Sequence, residues 1–187
     1  TIDKVLLIST DKAVSPLNLY GSTKLTAEKM LEVLYEQYRI PIINLRLFNV
    51  YGPGQNLKNL QQGMVSIYLY YLLYKKKILV KGSLDRIRDF IFIDDVFNAI
   101  NSIIRRKSYV NGTFNISSKT KTTVRNLIQI MQKSFNLKKD IVISHETPGD
   151  VFGFCGNNDK FKKKYNWKPI ISLKKGIKIL SKHYQIK

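Results

Sequence analysis

Short runs of branched apolar residues, each closed by charge or a turn residue, alternate along this chain with stretches whose apolar positions recur every three or four residues. Residues 5–9 (VLLIS) and 42–48 (IINLRLF) read as buried strands. Between them, from about Leu19, the residues Leu31, Leu34, Tyr35 and Tyr38 share one helical face, and Pro41 stops the helix. The pattern then predicts a helix over 62–74, short strands at 78–80 and 90–93, and a helix to about residue 106 capped by Asp94 or Asp95. Further on it predicts a strand at 113–116, a helix from a cap at Thr122 or Thr123 to about Phe135, and a strand at 141–144. Helices over 159–165 and 172–184 complete the series. Such alternation specifies an α/β protein with a mainly parallel sheet. The strands are few for a doubly wound sheet, and the first one begins almost at once. The expectation is that more of the sheet belongs upstream.

Composition narrows the function classes. A chain of 187 residues with 44% apolar content can build a real core. The single cysteine, Cys155, excludes an internal disulfide framework and a cysteine-based zinc cluster. His145 and His183 lie far apart without ligand spacing, so no metal site is expected. No charged segment followed by a long apolar stretch opens the chain, and the longest apolar run, residues 64–74, is about half a membrane span. These features lead us to expect a soluble, cytoplasmic protein without a membrane partner. The net charge of +19 raises nucleic-acid binding, yet only seven of the 32 basic residues are Arg, and the lysines are spread along most of the chain. No nucleic-acid partner is expected.

The sharpest local signal is Tyr20-Gly21-Ser22-Thr23-Lys24. Tyr and Lys four apart on a helix share a face, and an ammonium beside a phenol favours the phenolate. Tyr20 is thereby a candidate general base for taking a proton from a sugar hydroxyl while hydride leaves the carbon. Ser9-Thr10-Asp11 falls where a strand delivers side chains to the carboxyl edge of a sheet, the ligand crevice of open α/β folds.

Taken together with its downstream segments, the sequence resembles the extended short-chain dehydrogenase/reductases, specifically the NAD-dependent nucleotide-sugar epimerases and dehydratases. Ile8-Ser9-Thr10-Asp11-Lys12 is similar to their catalytic strand end, and Tyr20 with Lys24 to their Tyr-x-x-x-Lys pair. Arg46-Leu47-Phe48-Asn49-Val50-Tyr51-Gly52-Pro53-Gly54 looks like the segment entering the substrate domain, and residues 88–96 (RDFIFIDDV) like a second landmark. Pro148-Gly149-Asp150-Val151 and Trp167-Lys168-Pro169 look like two C-terminal ones.

The resemblance implies a fold: the C-terminal part of a Rossmann-type parallel sheet plus a small α/β substrate-binding subdomain. It divides the chain into a catalytic remainder of the dinucleotide-binding domain (1–52) and a mainly substrate-binding part (53–187), some of whose segments return to the sheet. It also implies roles. Thr10 would hydrogen-bond the sugar 4-hydroxyl, Tyr20 would be the base, and Lys24 would hold the nicotinamide ribose, with Ser9 beside the cofactor. Asn49, Arg88 and Asp150 would bind substrate, Arg88 through the diphosphate, a task suited to a planar guanidinium. The cofactor would be NAD, with NADP not excluded, the partner a nucleotide sugar, most readily a UDP-sugar, and the assembly a homodimer.

Two departures qualify this. Thr147 stands where the family often has a second diphosphate-binding Arg. The glycine-rich turn that receives the dinucleotide pyrophosphate, in the family about a hundred residues before the Tyr, does not occur here, where 19 residues precede Tyr20. The cofactor site is therefore expected to be at best half present in these residues, which puts the activity of this stretch alone in question. Two reactions compete. A 4-epimerase would oxidise C4, turn the 4-keto sugar over and return the hydride to the other face. A 4,6-dehydratase would use Asp11 and Lys12 to remove water after the same oxidation. Residues 9–21 lean towards UDP-N-acetylhexosamine dehydratases and residues 49–55 and 82–96 towards epimerases, which leaves the epimerase as the first expectation. A binding remnant without turnover is the expectation of another class.

Overall fold

The computed structural model describes residues 2–106, 111–145 and 151–185. Its centre is a parallel sheet of three strands, β1 (Val5–Thr10), β2 (Ile42–Leu47) and β7 (Gly112–Ile116), in the order β1-β2-β7. Strand β2 is covered on both faces, which is why it reads as an unbroken apolar run: Ile42, Ile43 and Leu45 are all buried. Strand β1 departs from the buried strand expected of it. Among the described residues β2 is its one neighbour, Ile8 is 41% exposed, and only Ser9 and Thr10 at its carboxyl end are buried.

Helix α1 (Leu19–Tyr38) links β1 to β2. Asn18 caps it by accepting the Gly21 N–H at 2.9 Å, and Arg39 closes it in the left-handed region at φ 54°, two residues before Pro41. Gly21 is required here, since a Cβ would sit 2.6 Å from the Lys12 carbonyl oxygen. That close approach pins the start of α1 against the 3-10 turn Asp11–Ala13 that follows β1. The helix buries little else: Gly21 and Glu28 are its buried residues, whereas Leu34 and Tyr38 of the apolar stripe are 40% and 65% exposed.

The remaining elements are β3 (Val50–Tyr51), α2 (Met64–Tyr74), β4 (Ile78–Lys81), β5 (Ile87–Arg88), β6 (Ile91–Phe92), α3 (Ile93–Ile104), β8 (Thr122–Thr123), α4 (Val124–Phe135), β9 (Ile141–Ser144), α5 (Asp159–Tyr165) and α6 (Leu173–Gln185). β3 pairs with β6 and β4 with β9, both parallel, and β5 with β8 antiparallel. Two apolar cores result. One joins β2 and β7 to α3 and α5 through Ile43, Leu45, Val96, Ile103, Phe114 and Phe161. The other joins α2, β4, α4 and α6 through Leu69, Leu72, Val80, Leu127, Met131 and Leu180. Each of these buried side chains stabilises the fold by about 2 kcal/mol relative to exposure. No helix among the described residues is long and apolar enough to cross a membrane.

Two polar residues tie the architecture together across long stretches of sequence. Thr123 caps α4 as expected, accepting the Asn126 N–H. Asp94 and Asp95, by contrast, do not cap α3: its N-cap is Phe92, with no side-chain cap bond. Asp95 is buried instead, its carboxylate accepting the Ile170 and Ile171 N–H groups at 3.0 Å each, while its carbonyl accepts the Trp167 indole N–H. Glu28 is the second. It points from α1 to the sheet, accepts a bidentate bond from Arg46 on β2, and accepts a hydrogen bond from the Ser9 hydroxyl at 2.5 Å.

Removing one partner of a buried ion pair strands the other charge. Glu28→Ala is expected to lower unfolding stability by about 3 kcal/mol in urea denaturation. A loss below about 1 kcal/mol, the value of an exposed pair, would count against this role.

Candidate active site

The carboxyl end of β1 and the start of α1 bring the first group of expected residues together. Thr10 Oγ1 donates to Asp11 Oδ1 at 2.9 Å and accepts the Lys12 N–H at 3.3 Å. The Lys12 ammonium stands 3.4 Å from Asp11 Oδ2. Thr10 and Asp11 are buried, and the Lys12 side chain is partly open. Lys24 reaches back from α1 to the Ile8 carbonyl oxygen at 3.1 Å, so its ammonium lies at this strand end too. The Tyr20 side chain is 56% exposed. Ser9 behaves differently from its neighbours, its hydroxyl being committed to Glu28.

Beside this strand end lies a cleft of about 480 Å³. Lys12, Asn18, Asn49 and Arg88 are on its wall, so it reaches the segment between β1 and α1 two residues from Thr10 and two from Tyr20. One wall is apolar and aromatic: Met64, Ile67, Tyr68 and Tyr71, at helical spacing on α2, face it together with Leu79. The charged residues among the described lining are Lys12, Lys81, Arg86 and Arg88, all cations. A ligand suited to this cleft carries negative charge on one side and flat apolar surface on the other.

Next to Arg88 in the chain, behind this wall, sits a buried carboxylate. Asp89 is fully buried and accepts hydrogen bonds from Ser118 N–H (2.8 Å), Ser118 Oγ (2.6 Å), Lys119 N–H (3.0 Å), Gly156 N–H (3.1 Å) and the Cys155 thiol (3.3 Å). Its own carbonyl accepts the Asn49 amide N–H at 2.9 Å, which orients Asn49 on the cleft wall. Arg88 is buried and donates to the Ile87 and Phe152 carbonyls. There the chain at Gly153 runs so close that a Cβ would meet the Ile87 oxygen at 2.2 Å, at a φ of 152°. Burial, then the Asp89 charge, pushes the Cys155 thiol up to about 11. Burial and the Asp95 charge likewise push the Tyr51 phenol up.

Of the residues expected from the sequence, Thr10, Asp11, Lys12 and Lys24 converge on the strand end, and Asn49 and Arg88 on the cleft. Asp150, with Thr147, Pro148 and Gly149, lies outside the described residues. Lys81, Arg86, Gln62 and the α2 tyrosines were not expected at the site. The tyrosines carry only the helical spacing of α2, which ordinary core packing produces equally well, and Lys81, Arg86 and Gln62 carry no signal of their own. Among the described residues no group of His, Cys, Asp and Glu is arranged to hold a metal ion.

The family profile described as GDP-mannose 4,6 dehydratase matches residues 4–180. The chain belongs to this family. Among curated relatives it is 32% identical over 162 residues to a dTDP-L-rhamnose 4-epimerase of Burkholderia thailandensis, covering 87% of this chain and 45% of that protein. It is 29% identical to an uncharacterized UDP-glucose epimerase of Bacillus subtilis, covering 91% of this chain and 52% of the relative. This family member thus spans about half the length of those relatives. Among solved structures, UDP-glucose 4-epimerase of Thermotoga maritima with UDP-glucose superposes with a TM-score of 0.89 at 27% identity, covering 98% of this chain and 64% of that one. At 24% identity, UDP-glucuronic acid 4-epimerase of Bacillus cereus, in complex with UDP-glucuronic acid and NAD, shares the fold with a TM-score of 0.90. The Rossmann-type α/β fold and the epimerase/dehydratase family follow.

Two outcomes check the Asp89 hub. Asp89→Asn turns an amide N–H towards backbone donors, and is expected to cost about 3 kcal/mol of stability in urea unfolding. A midpoint unchanged from the parent would contradict the hub. With its thiol pushed up to about 11, Cys155 is almost wholly protonated at pH 8. Iodoacetamide should modify it about a hundredfold more slowly than free cysteine, because the thiolate is the nucleophile; equal rates would refute the shift.

Proposed function

We propose that this chain is the catalytic and substrate-binding part of an NAD-dependent nucleotide-sugar 4-epimerase. The observation that carries the reading is the cleft itself, which is lined by the cations Lys12, Lys81, Arg86 and Arg88 and by the aromatic Tyr68 and Tyr71. A diphosphate suits the guanidinium side and a nucleobase the aromatic side. That arrangement leaves the sugar to be presented at the strand end. UDP is the first choice of nucleotide, supported by the Thermotoga maritima relative with UDP-glucose.

The residues present fit the nicotinamide end of a dinucleotide: the Lys24 ammonium is fixed against the open strand end, on the helix face it shares with Tyr20. NAD, when bound, supplies the hydride acceptor for C4. Thr10 holds the 4-hydroxyl, and Tyr20 takes its proton as hydride leaves C4, forming the 4-keto sugar. Lys24 steadies the ribose. Tyr20 would give the proton back to O4 as C4 is reduced on the opposite face of the turned sugar, so the reaction would be redox-neutral overall. Asn49 and Arg88 keep the diphosphate in place while the sugar turns. On this reading residues 1–52 belong with the cofactor and most of 53–187 with the substrate, α3 and β7 returning to the sheet. The exposed apolar side chains of α1, among them Met30, Val33, Leu34 and Tyr38, support a homodimer through that helix.

One observation favours the second reading, a 4,6-dehydratase. Asp11 and Lys12 form a partly buried acid–base pair next to Thr10, with Lys12 on the cleft wall. In a dehydratase this pair would remove water across C5 and C6 after C4 oxidation.

A proton NMR time course with NAD and a panel of UDP-hexoses and UDP-N-acetylhexosamines tests both. The expected result is a new 4-epimer, with Tyr20→Phe slower by at least about a hundredfold. A 4-keto-6-deoxy product would establish the dehydratase instead. Binding of the panel sugars without conversion would leave a binding protein.

A further inference from the structure

The solvent face of α6 is made of lysine. Among residues 173–184 the exposed ones are Lys174, Lys175, Lys178 and Lys182, and no other. Lys174, Lys178 and Lys182 recur every four residues and so share one side of the helix, with Lys175 beside them. The opposite side, with Ile177 and Leu180, is buried on the second core. None of the four ammonium groups makes a hydrogen bond or an ion pair with another described residue.

A lysine-rich composition does not account for this by itself. On α1 the exposed cations are matched: Lys29 pairs with Glu32 and Arg39 with Glu36, each three residues apart. α6 carries no acidic residue, and neither does α4, which packs with it over the same core. The exposed positions of α4 are Arg125, Asn126, Gln129 and Lys133. From residue 160 to residue 187 the sequence holds ten lysines and no Asp or Glu. Helix-dipole compensation does not explain the placement either. Lys174 and Lys175 stand in the first turn of α6, where a cation is unfavourable, and like charges one turn apart repel. An anion covering the face relieves both.

The make-up of the face narrows its occupant. Among their described residues neither α4 nor α6 exposes a large apolar or aromatic side chain. A protein interface is built around such anchors and is depleted in lysine, and a single-stranded nucleic acid stacks its bases on exposed rings. The one Arg of the two helices, Arg125, is turned to Asp85. Flexible ammonium groups without fixed partners suit an extended, fluid anionic surface, to which each adds attraction without needing a set geometry. We propose that the lysine face of α6 seats this protein on an anionic lipid bilayer, held by headgroup charge and without insertion. The expectation of no membrane partner rested on the lack of a spanning run, and a contact at the headgroups needs none. No residue of α4 or α6 is among the described lining of the cleft, so the cleft takes no part in the contact.

Flotation of the full chain with vesicles of phosphatidylcholine, alone or with about 30% phosphatidylserine, tests it. The parent should bind the mixed vesicles and not the neutral ones, and raising the salt to about 0.5 M should release it. A variant carrying Lys174→Gln, Lys175→Gln, Lys178→Gln and Lys182→Gln should bind at least about a hundredfold more weakly, since each lysine at the surface is worth about fivefold. A control carrying Lys162→Gln, Lys163→Gln, Lys164→Gln and Lys168→Gln loses the same charge elsewhere and should stay within about fivefold of the parent. Every side chain changed is exposed, so both variants should melt at the parent's temperature. If the α6 variant melts lower, Lys178→Gln alone replaces it; about a fivefold loss then supports the proposal and no loss overturns it. Failure of the parent to bind the mixed vesicles, equal binding to the neutral ones, or equal losses in the two variants overturns it. So does displacement from the vesicles by a short DNA duplex at equal phosphate concentration, which would assign the face to nucleic acid.

Discussion

The Asp89 carboxylate organises the half of the molecule that faces the cleft. Five donors from two distant segments, 118–119 and 155–156, converge on two oxygens that water does not reach. A carboxylate so enclosed is tolerable only because its lone pairs are filled, and the same filling makes it rigid. Consequences spread from there along the backbone. Asn49 is oriented by the Asp89 carbonyl, and Arg88 next door is laced to the Phe152 carbonyl. Asn49 and Arg88 are thus carried on a framework already fixed in the free protein, which is where electrostatic recognition gains most.

The other side of the site depends on a different device. Glu28, buried on a helix that otherwise lies against the sheet lightly, joins Ser9 on β1 to Arg46 on β2. Close packing at Gly21 then sets the start of α1 against the turn that follows Thr10. Together they hold Thr10, Lys12 and Lys24 near one strand end, while Tyr20 stays open. The two devices meet where Lys12 and Asn18 join the cleft wall. That junction joins the lining of the cleft to the start of α1.

Much of this was readable from the residues, where the signal is local. The strand–helix alternation, the Thr123 cap and the 3.6-residue rhythm of α4 all depend on neighbours a few positions away, and all appear in the structure. The two-residue strands β3, β5 and β8 carry no period, and their partners stand as far off as Ile91 from Val50. Asp95 looked like a helix cap because Asp favours helix starts. A contact with Ile170 and Ile171 claims it instead, and no local pattern encodes that. β1 read as buried because its residues are apolar, and composition does not say how many neighbours a strand has. In the site, motif residues such as Thr10, Asn49 and Arg88 were legible through resemblance. Lys81, Arg86 and Gln62 belong to no motif and emerge only when the cleft is assembled. Arg46 was half legible, as a charge inside an apolar strand, but its partner Glu28 was hidden among the many charges of α1.

The central claim is that hydride leaves and returns at C4 within one closed site. Turnover of a UDP-hexose carrying deuterium at C4, in the presence of unlabelled NAD, tests it most directly. The account predicts that the 4-epimer formed retains the deuterium at C4, as read by NMR and mass spectrometry, because the hydride never exchanges with solvent. Epimer formed with loss of the label to water would contradict oxidation at C4 as the route.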